Sequence, residues 1–160
     1  LNTLDLLSDN FPPGGWIPRE HTGEGDDLSP PLRWSDVPEG VGAFALLLED
    51  PDAPPGLWIH WVLFNLPPQL RALPAGVPPL AQLDNSALHG ACWGVDRFER
   101  QGYAGPLPPP GPAHRYHFRL FALDAPLPLP AGATAAAVRA AMAGHTLAEA
   151  TLTGLYQRHR

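Results

Sequence analysis

Three places in the chain carry ionisable or hydrogen-bonding side chains where strands are expected to begin, end or run. Asp50 and Asp52 close an apolar run in the segment Asp50-Pro51-Asp52-Ala53-Pro54-Pro55-Gly56, His60 lies inside the oily run Leu57 to Leu66, and His114 and Tyr116 open another run. A carboxylate near an imidazole stabilises its protonated form, so two protonated imidazoles and a phenol offer three donors to an anion. The chemistry this predicts is a small anion site. A lone interior histidine is more commonly a hydrogen-bonded core residue, and it is the combination that points to a site. Asp50, Asp52, His60 and His114 also suit zinc or iron by ligand type, but nothing in their spacing demands a metal, and no cofactor is expected.

Covalent catalysis finds little support. The Gly-x-Ser-x-Gly elbow is absent, and Ser8, Ser29, Ser35 and Ser86 are the only serines, none in a nucleophile setting. Cys92 has no identifiable activating neighbour and reads as structural. A Gly-x-x-x-x-Gly-Lys phosphate loop cannot exist in a chain without lysine.

The stretch Gly102 to Leu123 must position half of the site, and it changes character midway. Gly102, Gly105 and Gly111, with Pro106, Pro108, Pro109, Pro110 and Pro112, can neither form a helix nor join the middle of a sheet. They predict a stiff wall. From His114 onward a strand alternates, with His114, Tyr116, Phe118 and Leu120 on one face and Arg115, His117, Arg119 and Phe121 on the other. Val41 to Glu49 reads as a strand buried on both faces. Leu57 to Leu66 reads as the central strand, with Trp58, His60, Val62 and Phe64 on one face and Ile59, Trp61, Leu63 and Asn65 on the other.

The remaining elements follow from local signals. Leu4 to Leu7 and Pro31 to Trp34 predict short strands, the second at an edge because of its proline. Phe11 to Ser29 predicts a loop whose polar run His21 to Asp27 is solvated and lacks the ligand spacing of a calcium loop. Pro67 to Gln101 predicts connecting loops. Thr134 caps a helix over Ala135 to Ala143 with Gly144 as its stop, and Thr146 caps a second over Leu147 to Arg158, whose stripe would be Leu147, Ala150, Thr151, Gly154 and Leu155.

With 160 residues and 44% hydrophobic content, the chain has the means for one domain, 1–160, with a real core. The 22 prolines and 16 glycines are spread between apolar runs without repeats, which fits rigid loops in a strand-rich domain. A net charge of −6 with every basic residue an arginine leaves no dense basic run for a phosphate backbone, so no nucleic-acid partner is expected. No apolar run approaches the roughly 20 residues of a membrane span. A single cysteine excludes an internal disulfide and favours a reducing, cytoplasmic location; the periplasm stays open because the chain begins at Leu1 rather than Met.

Four ordered motifs spread over nearly the whole chain resemble the phosphatidylethanolamine-binding protein family. They are Ile17-Pro18 through Asp27-Leu28-Ser29-Pro30-Pro31-Leu32-Arg33-Trp34; Asp50-Pro51-Asp52-Ala53-Pro54; Trp58-Ile59-His60-Trp61-Val62-Leu63-Phe64-Asn65; and Gly102-Tyr103-Ala104-Gly105-Pro106 through His114-Arg115-Tyr116. The closing Gly132-Ala133-Thr134 through His145, with Leu155-Tyr156, resembles the bacterial branch called Raf kinase inhibitor-like proteins. The resemblance implies a mainly β fold, a large antiparallel sheet packed on a smaller one with short C-terminal helices. It also implies a pocket for phosphate, acetate or a phosphoryl head group. By motif position the pocket carboxylate is Asp50, its histidines His60 and His114, its tyrosine Tyr116, and its wall Gly105-Pro106 with Pro108-Pro109, while Asp52 and Trp58 line or brace it. Leu107 departs from the usual Gly-Pro-Cys-Pro-Pro wall, and Val95-Asp96-Arg97-Phe98-Glu99 from the usual Asn-Asp-Phe-Gly entry.

The function so implied is non-catalytic binding of a small anionic or phosphorylated ligand, with regulation of a kinase or protease partner and a homodimer as further expectations. The alternatives are an ester or phosphoester hydrolase built on the Asp/His pair, and an inhibitor acting through surface loops. Fold and site alone do not decide among them.

Overall fold

The structure, a computed structural model, describes residues 3–54, 56–92 and 100–158. Among the described residues ten strands and one α-helix follow in chain order. They are β1 (Asp5–Leu7), β2 (Leu32–Ser35), β3 (Ala43–Asp50), β4 (Trp58–Leu66), β5 (Ala72–Leu73), β6 (Leu88–His89), β7 (Ala91–Cys92), β8 (Arg100–Gln101), β9 (His114–Leu123), α1 (Ala135–Met142) and β10 (Thr146–Tyr156). The fold is mainly β. A five-stranded antiparallel sheet runs β10-β9-β3-β4-β6, a three-stranded sheet runs β1-β2-β5, and β7 pairs with β8.

Both faces of the large sheet are covered, and that explains why β3 reads as an unbroken apolar run: all eight of its residues are buried. One face carries Phe44, Leu46, Leu48, Trp61, Phe118 and Leu120 against Leu6, Leu32 and Trp34 of the small sheet. The opposite face carries Ala45, Leu47, Phe64, Phe121 and Leu123 against Val138 and Met142 of α1. The helix begins as expected, with the Thr134 hydroxyl accepting from the Ala137 N–H, and the chain turns out of it at Gly144 with φ +80°. Among the described residues no helix is long and apolar enough to cross a membrane.

The second helix expected over Leu147 to Arg158 is instead strand β10. Its side chains follow a period of two, with Ala148, Leu152, Gly154 and Tyr156 buried and Thr146, Leu147, Glu149 and Thr151 exposed. It pairs with β9 from Thr146↔Leu123 to Tyr156↔His114. The apparent helical stripe arose because small and apolar residues occupy both strand faces. The β-branched Thr151 and Thr153 favour the extended form, and Gly154 weakens the helix, where a glycine costs about 1 kcal/mol. Gly154 also sits where a Cβ would come within 2.5 Å of Ile17 Cγ1.

Other readings also change. The span Pro67 to Gln101 contains β5, β6, β7 and β8, each only two residues long and so without a readable period. The loop 11–29 is not simply solvated, since His21, Thr22 and Ser29 are buried. The His21 ring bonds Asn10 Nδ2 at 2.9 Å and the Leu28 carbonyl at 2.9 Å. The departure at Val95 to Glu99 lies outside the described residues.

The central strand alternates as expected only in part. Pairing steps from Leu48↔Trp61 to Glu49↔Ile59, so one residue of β3 faces two of β4 and His60 is the extra one. This bulge moves Ile59 onto the face of Val62 and Phe64 and turns His60 to the opposite face, against the Tyr116 ring. A second irregularity lies between Leu46↔Leu63 and Phe44↔Leu66, where Asn65 takes φ +57°. Asn65 holds the Leu127 backbone twice, accepting from its N–H at 2.7 Å and donating to its carbonyl at 3.0 Å. Asn65→Ala is expected to lose about 2 kcal/mol in urea unfolding, and Asn65→Gly less, because glycine keeps the backbone conformation while losing the same bonds.

Candidate functional site

The bulge of β4, the end of β3 and the start of β9 converge on one cavity of about 190 Å³. It is lined by Asp50, Ala53, Pro54, Trp58, His60, Leu107, Pro108, Pro109, His114 and Tyr116. Seven of the ten residues predicted for the site therefore meet there. Asp52, Gly105 and Pro106 do not line it. Ala53, Pro54 and Leu107 do, although the sequence reading assigned them no ligand role.

The three that fall outside hold the lining in place. Asp52 accepts from the Arg115 backbone N–H at 2.8 Å and from its guanidinium at 2.9 and 3.0 Å, tying the turn after β3 to the start of β9. Those bonds hold its carboxyl down at about 2. The Gly105 N–H donates to Asp27 Oδ1 at 2.8 Å, and the Pro106 carbonyl accepts from the Gly23 N–H at 2.9 Å. A Cβ on Gly105 would come within 2.4 Å of the His21 carbonyl, so only glycine fits this contact. Asp27, His21 and Tyr103, whose hydroxyl donates to the His21 carbonyl at 2.6 Å, brace the wall from behind. No local pattern links them, because their partners are 78 and 82 residues away.

The polar atoms at the base differ in their roles. The Asp50 carboxylate accepts from His114 Nδ1–H at 2.7 Å, with both residues buried. This fixes the ring's orientation and leaves its Nε2 without a protein partner among the described residues. His60 donates Nδ1–H to the Ala104 carbonyl at 2.6 Å, so its Nε2 carries the lone pair. Here the expectation of two protonated imidazoles fails. Burial pulls His60 down to about 4, outweighing the Ala104 carbonyl and the Asp50 charge, and the ring is neutral at pH 7.

Tyr116 is fully buried, and its hydroxyl has no hydrogen-bond partner among the described residues. Its edge meets the His60 ring at a centroid distance of 5.4 Å, and His114 stacks on it at 6.3 Å. Burial and then the nearby Asp50 charge push the phenol well above its usual range, so it remains a donor. Asp50 also raises the phenol through a side-chain hydrogen-bonding interaction, but no contact of the hydroxyl meets hydrogen-bond distance and angle, so the donor is left unsatisfied.

A family model described as phosphatidylethanolamine-binding protein matches residues 7–157. The chain belongs to the phosphatidylethanolamine-binding protein family. Within the family, the UPF0098 protein of Methanothermobacter thermautotrophicus is 44% identical over 155 residues, covering 97% of this chain and 99% of the relative. The UPF0098 protein of Aquifex aeolicus is 41% identical over 157 residues, covering 97% and 89%. Two solved structures are similar throughout. A putative phosphatidylethanolamine-binding protein homolog from Chlamydia trachomatis has a TM-score of 0.87 at 38% identity, covering 99% of this chain and all of that one (100%). E. coli YbcL, described as a new member of the mammalian family, has a TM-score of 0.87 at 30% identity, covering 98% and 99%.

Against this family background the remaining chemistry is limited. Among the described residues no group of three or more His, Cys, Asp or Glu side chains is placed to hold a metal ion. Cys92 is buried away from the cavity lining, its thiol directed at the Gly102 carbonyl at 3.3 Å.

Proposed function

We propose that this protein binds a small anionic or phosphorylated ligand in the cavity between β3, β4 and β9, without turning it over. The observation that carries this reading is the buried Tyr116 hydroxyl, a donor with no protein partner beside two imidazole nitrogens that are also unpartnered among the described residues. Buried polar groups are rarely left unbonded, because each costs about 1–3 kcal/mol, and a ligand oxygen would satisfy this one. Cavity size sets the scale of the ligand. At about 190 Å³ the space suits a phosphoryl or carboxyl head group, since pockets for drug-sized molecules run to roughly 300–1,000 Å³. The rest of a phosphorylated molecule would lie at the rim, against Trp58, Pro109 and the half-exposed Leu107.

Titration calorimetry near pH 6 with phosphate, phosphoethanolamine and phosphotyrosine tests the reading. Wild type is expected to bind, and His60→Ala and His114→Ala each to bind about tenfold more weakly or worse. No binding to wild type, or undiminished binding in both variants, would overturn it. If a kinase or protease partner is engaged through the same rim, its regulation should fall with His114→Ala, whereas inhibition through surface loops should survive.

One observation favours a second reading. Asp50 on His114 Nδ1 leaves Nε2 available as a general base for a water entering the cavity, as ester or phosphoester hydrolysis would need. Among the described residues no serine, cysteine, threonine or lysine lines the cavity to serve as nucleophile. Turnover abolished by His114→Ala would establish the hydrolase in place of the binding protein.

A further inference from the structure

The hydrogen-bond polarity of the cavity bears on the protonation state of the head group it would hold. His60 has one ring N–H, and the Ala104 carbonyl takes it at 2.6 Å. The carbonyl comes from the proline-walled segment, which is pinned by the Gly105 and Pro106 contacts and by the Ala104 N–H donating to the His60 carbonyl at 3.0 Å. The pairing between residues 60 and 104 is therefore two-sided, and the ring cannot turn over without breaking it. His60 and Tyr116 both line the cavity with ring centroids 5.4 Å apart, so its wall combines a ring nitrogen that can only accept with a phenol that can donate.

We propose that the cavity selects its ligand in an acid form, a singly protonated phosphoryl group or a carboxylic acid, whose own O–H donates to His60 Nε2 while a second oxygen accepts from Tyr116 O–H. A fully deprotonated oxyanion would set oxygen lone pairs against the Nε2 lone pair, and the ring would have to gain a proton from solution to relieve the repulsion. The surroundings oppose that gain. The groups facing His60 are Asp50 from β3 and His114 and Tyr116 from β9, with the Ala104 and Gly105 backbone on the wall side. Asp50, the negative charge among them, is bonded to His114. Burial holds the ring neutral despite Asp50. This inference rests on the anion-pocket reading and adds to it a chemical class: phosphomonoesters and carboxylic acids over sulfate esters, which match the single charge of a phosphomonoester monoanion but lack its O–H.

Methyl phosphate and methyl sulfate at pH 5.0 provide the test. Both are then chiefly monoanions of nearly the same shape, since the second phosphate pKa lies near 6. Calorimetry on wild type is expected to show methyl phosphate bound about tenfold or more tightly than methyl sulfate. Its affinity should fall as pH rises from 6 to 8, and in His60→Ala the preference should shrink toward unity. Binding of both esters by wild type within a factor of two would overturn the acid-form inference while leaving the anion pocket standing. A preference that persists in full in His60→Ala would overturn it as well, because another group would then be reading the O–H. If wild type binds neither ester, the pocket reading itself fails and the inference with it.

Discussion

Tyr116→Phe is expected to make the protein more stable and less able to hold its ligand. The hydroxyl is buried without a protein partner, and removing an unsatisfied buried polar group recovers part of a cost of about 1–3 kcal/mol. A gain of about 1 kcal/mol corresponds to roughly 2–4 °C in Tm for a domain of this size. The same change removes the donor proposed for the ligand, and a hydrogen bond to a charged group is worth about 1.5–3 kcal/mol, so phosphoethanolamine affinity should fall about tenfold or more. Thermal unfolding and calorimetry on one pair of proteins measure both effects. A variant that melts lower would show the hydroxyl to be bonded in the free protein, and unchanged affinity would remove it from the site.

The second large effect is acid destabilisation through His60. Its pKa falls from 6.5 to about 4 on folding, with burial as the main cause. Between those values the unfolded chain binds a proton that the native state does not, so stability present above pH 6.5 is lost progressively as pH falls to 4. At roughly 1.4 kcal/mol per pH unit the loss reaches about 3 kcal/mol. His89 and His117 are also lowered by burial and add a loss of the same sign. Urea unfolding of wild type and His60→Leu between pH 7 and 4 isolates the His60 share. The wild-type curve should drop by about 3 kcal/mol relative to that of His60→Leu as pH falls, whatever their offset at pH 7, and parallel curves would contradict a neutral buried ring.

Both effects arise at His60 and Tyr116, and these two residues also show how far sequence carries. Tyr116 was legible: a strand that starts at His114 and alternates cleanly puts it on the inward face, and β9 keeps that register against β3 and β10. His60 was legible as a residue of the cavity lining but not in its orientation or its charge. The β4 bulge reassigns its face, and its neutrality comes from burial produced by β9 and the wall segment, which lie more than forty residues away.

The β10 error has a related cause. Leu147, Ala150, Thr151, Gly154 and Leu155 fit a helical stripe as well as a strand, and only the partner β9 decides between them. Asp52 shows a third limit. A carboxylate at a strand end reads the same whether it faces the cavity, as Asp50 does, or a neighbouring arginine, as Asp52 does. By contrast, β3, β4 and β9 declare themselves through long apolar or alternating runs, and the fold follows from their pairing.

The most direct test is a crystal of the protein grown or soaked with phosphoethanolamine. The phosphoryl group should lie in the cavity with separate oxygens about 3 Å from Tyr116 Oη and His60 Nε2, and with His114 still bonded to Asp50. A cavity that stays empty at saturating ligand, or a phosphoryl group seated on other residues, would contradict the site described here.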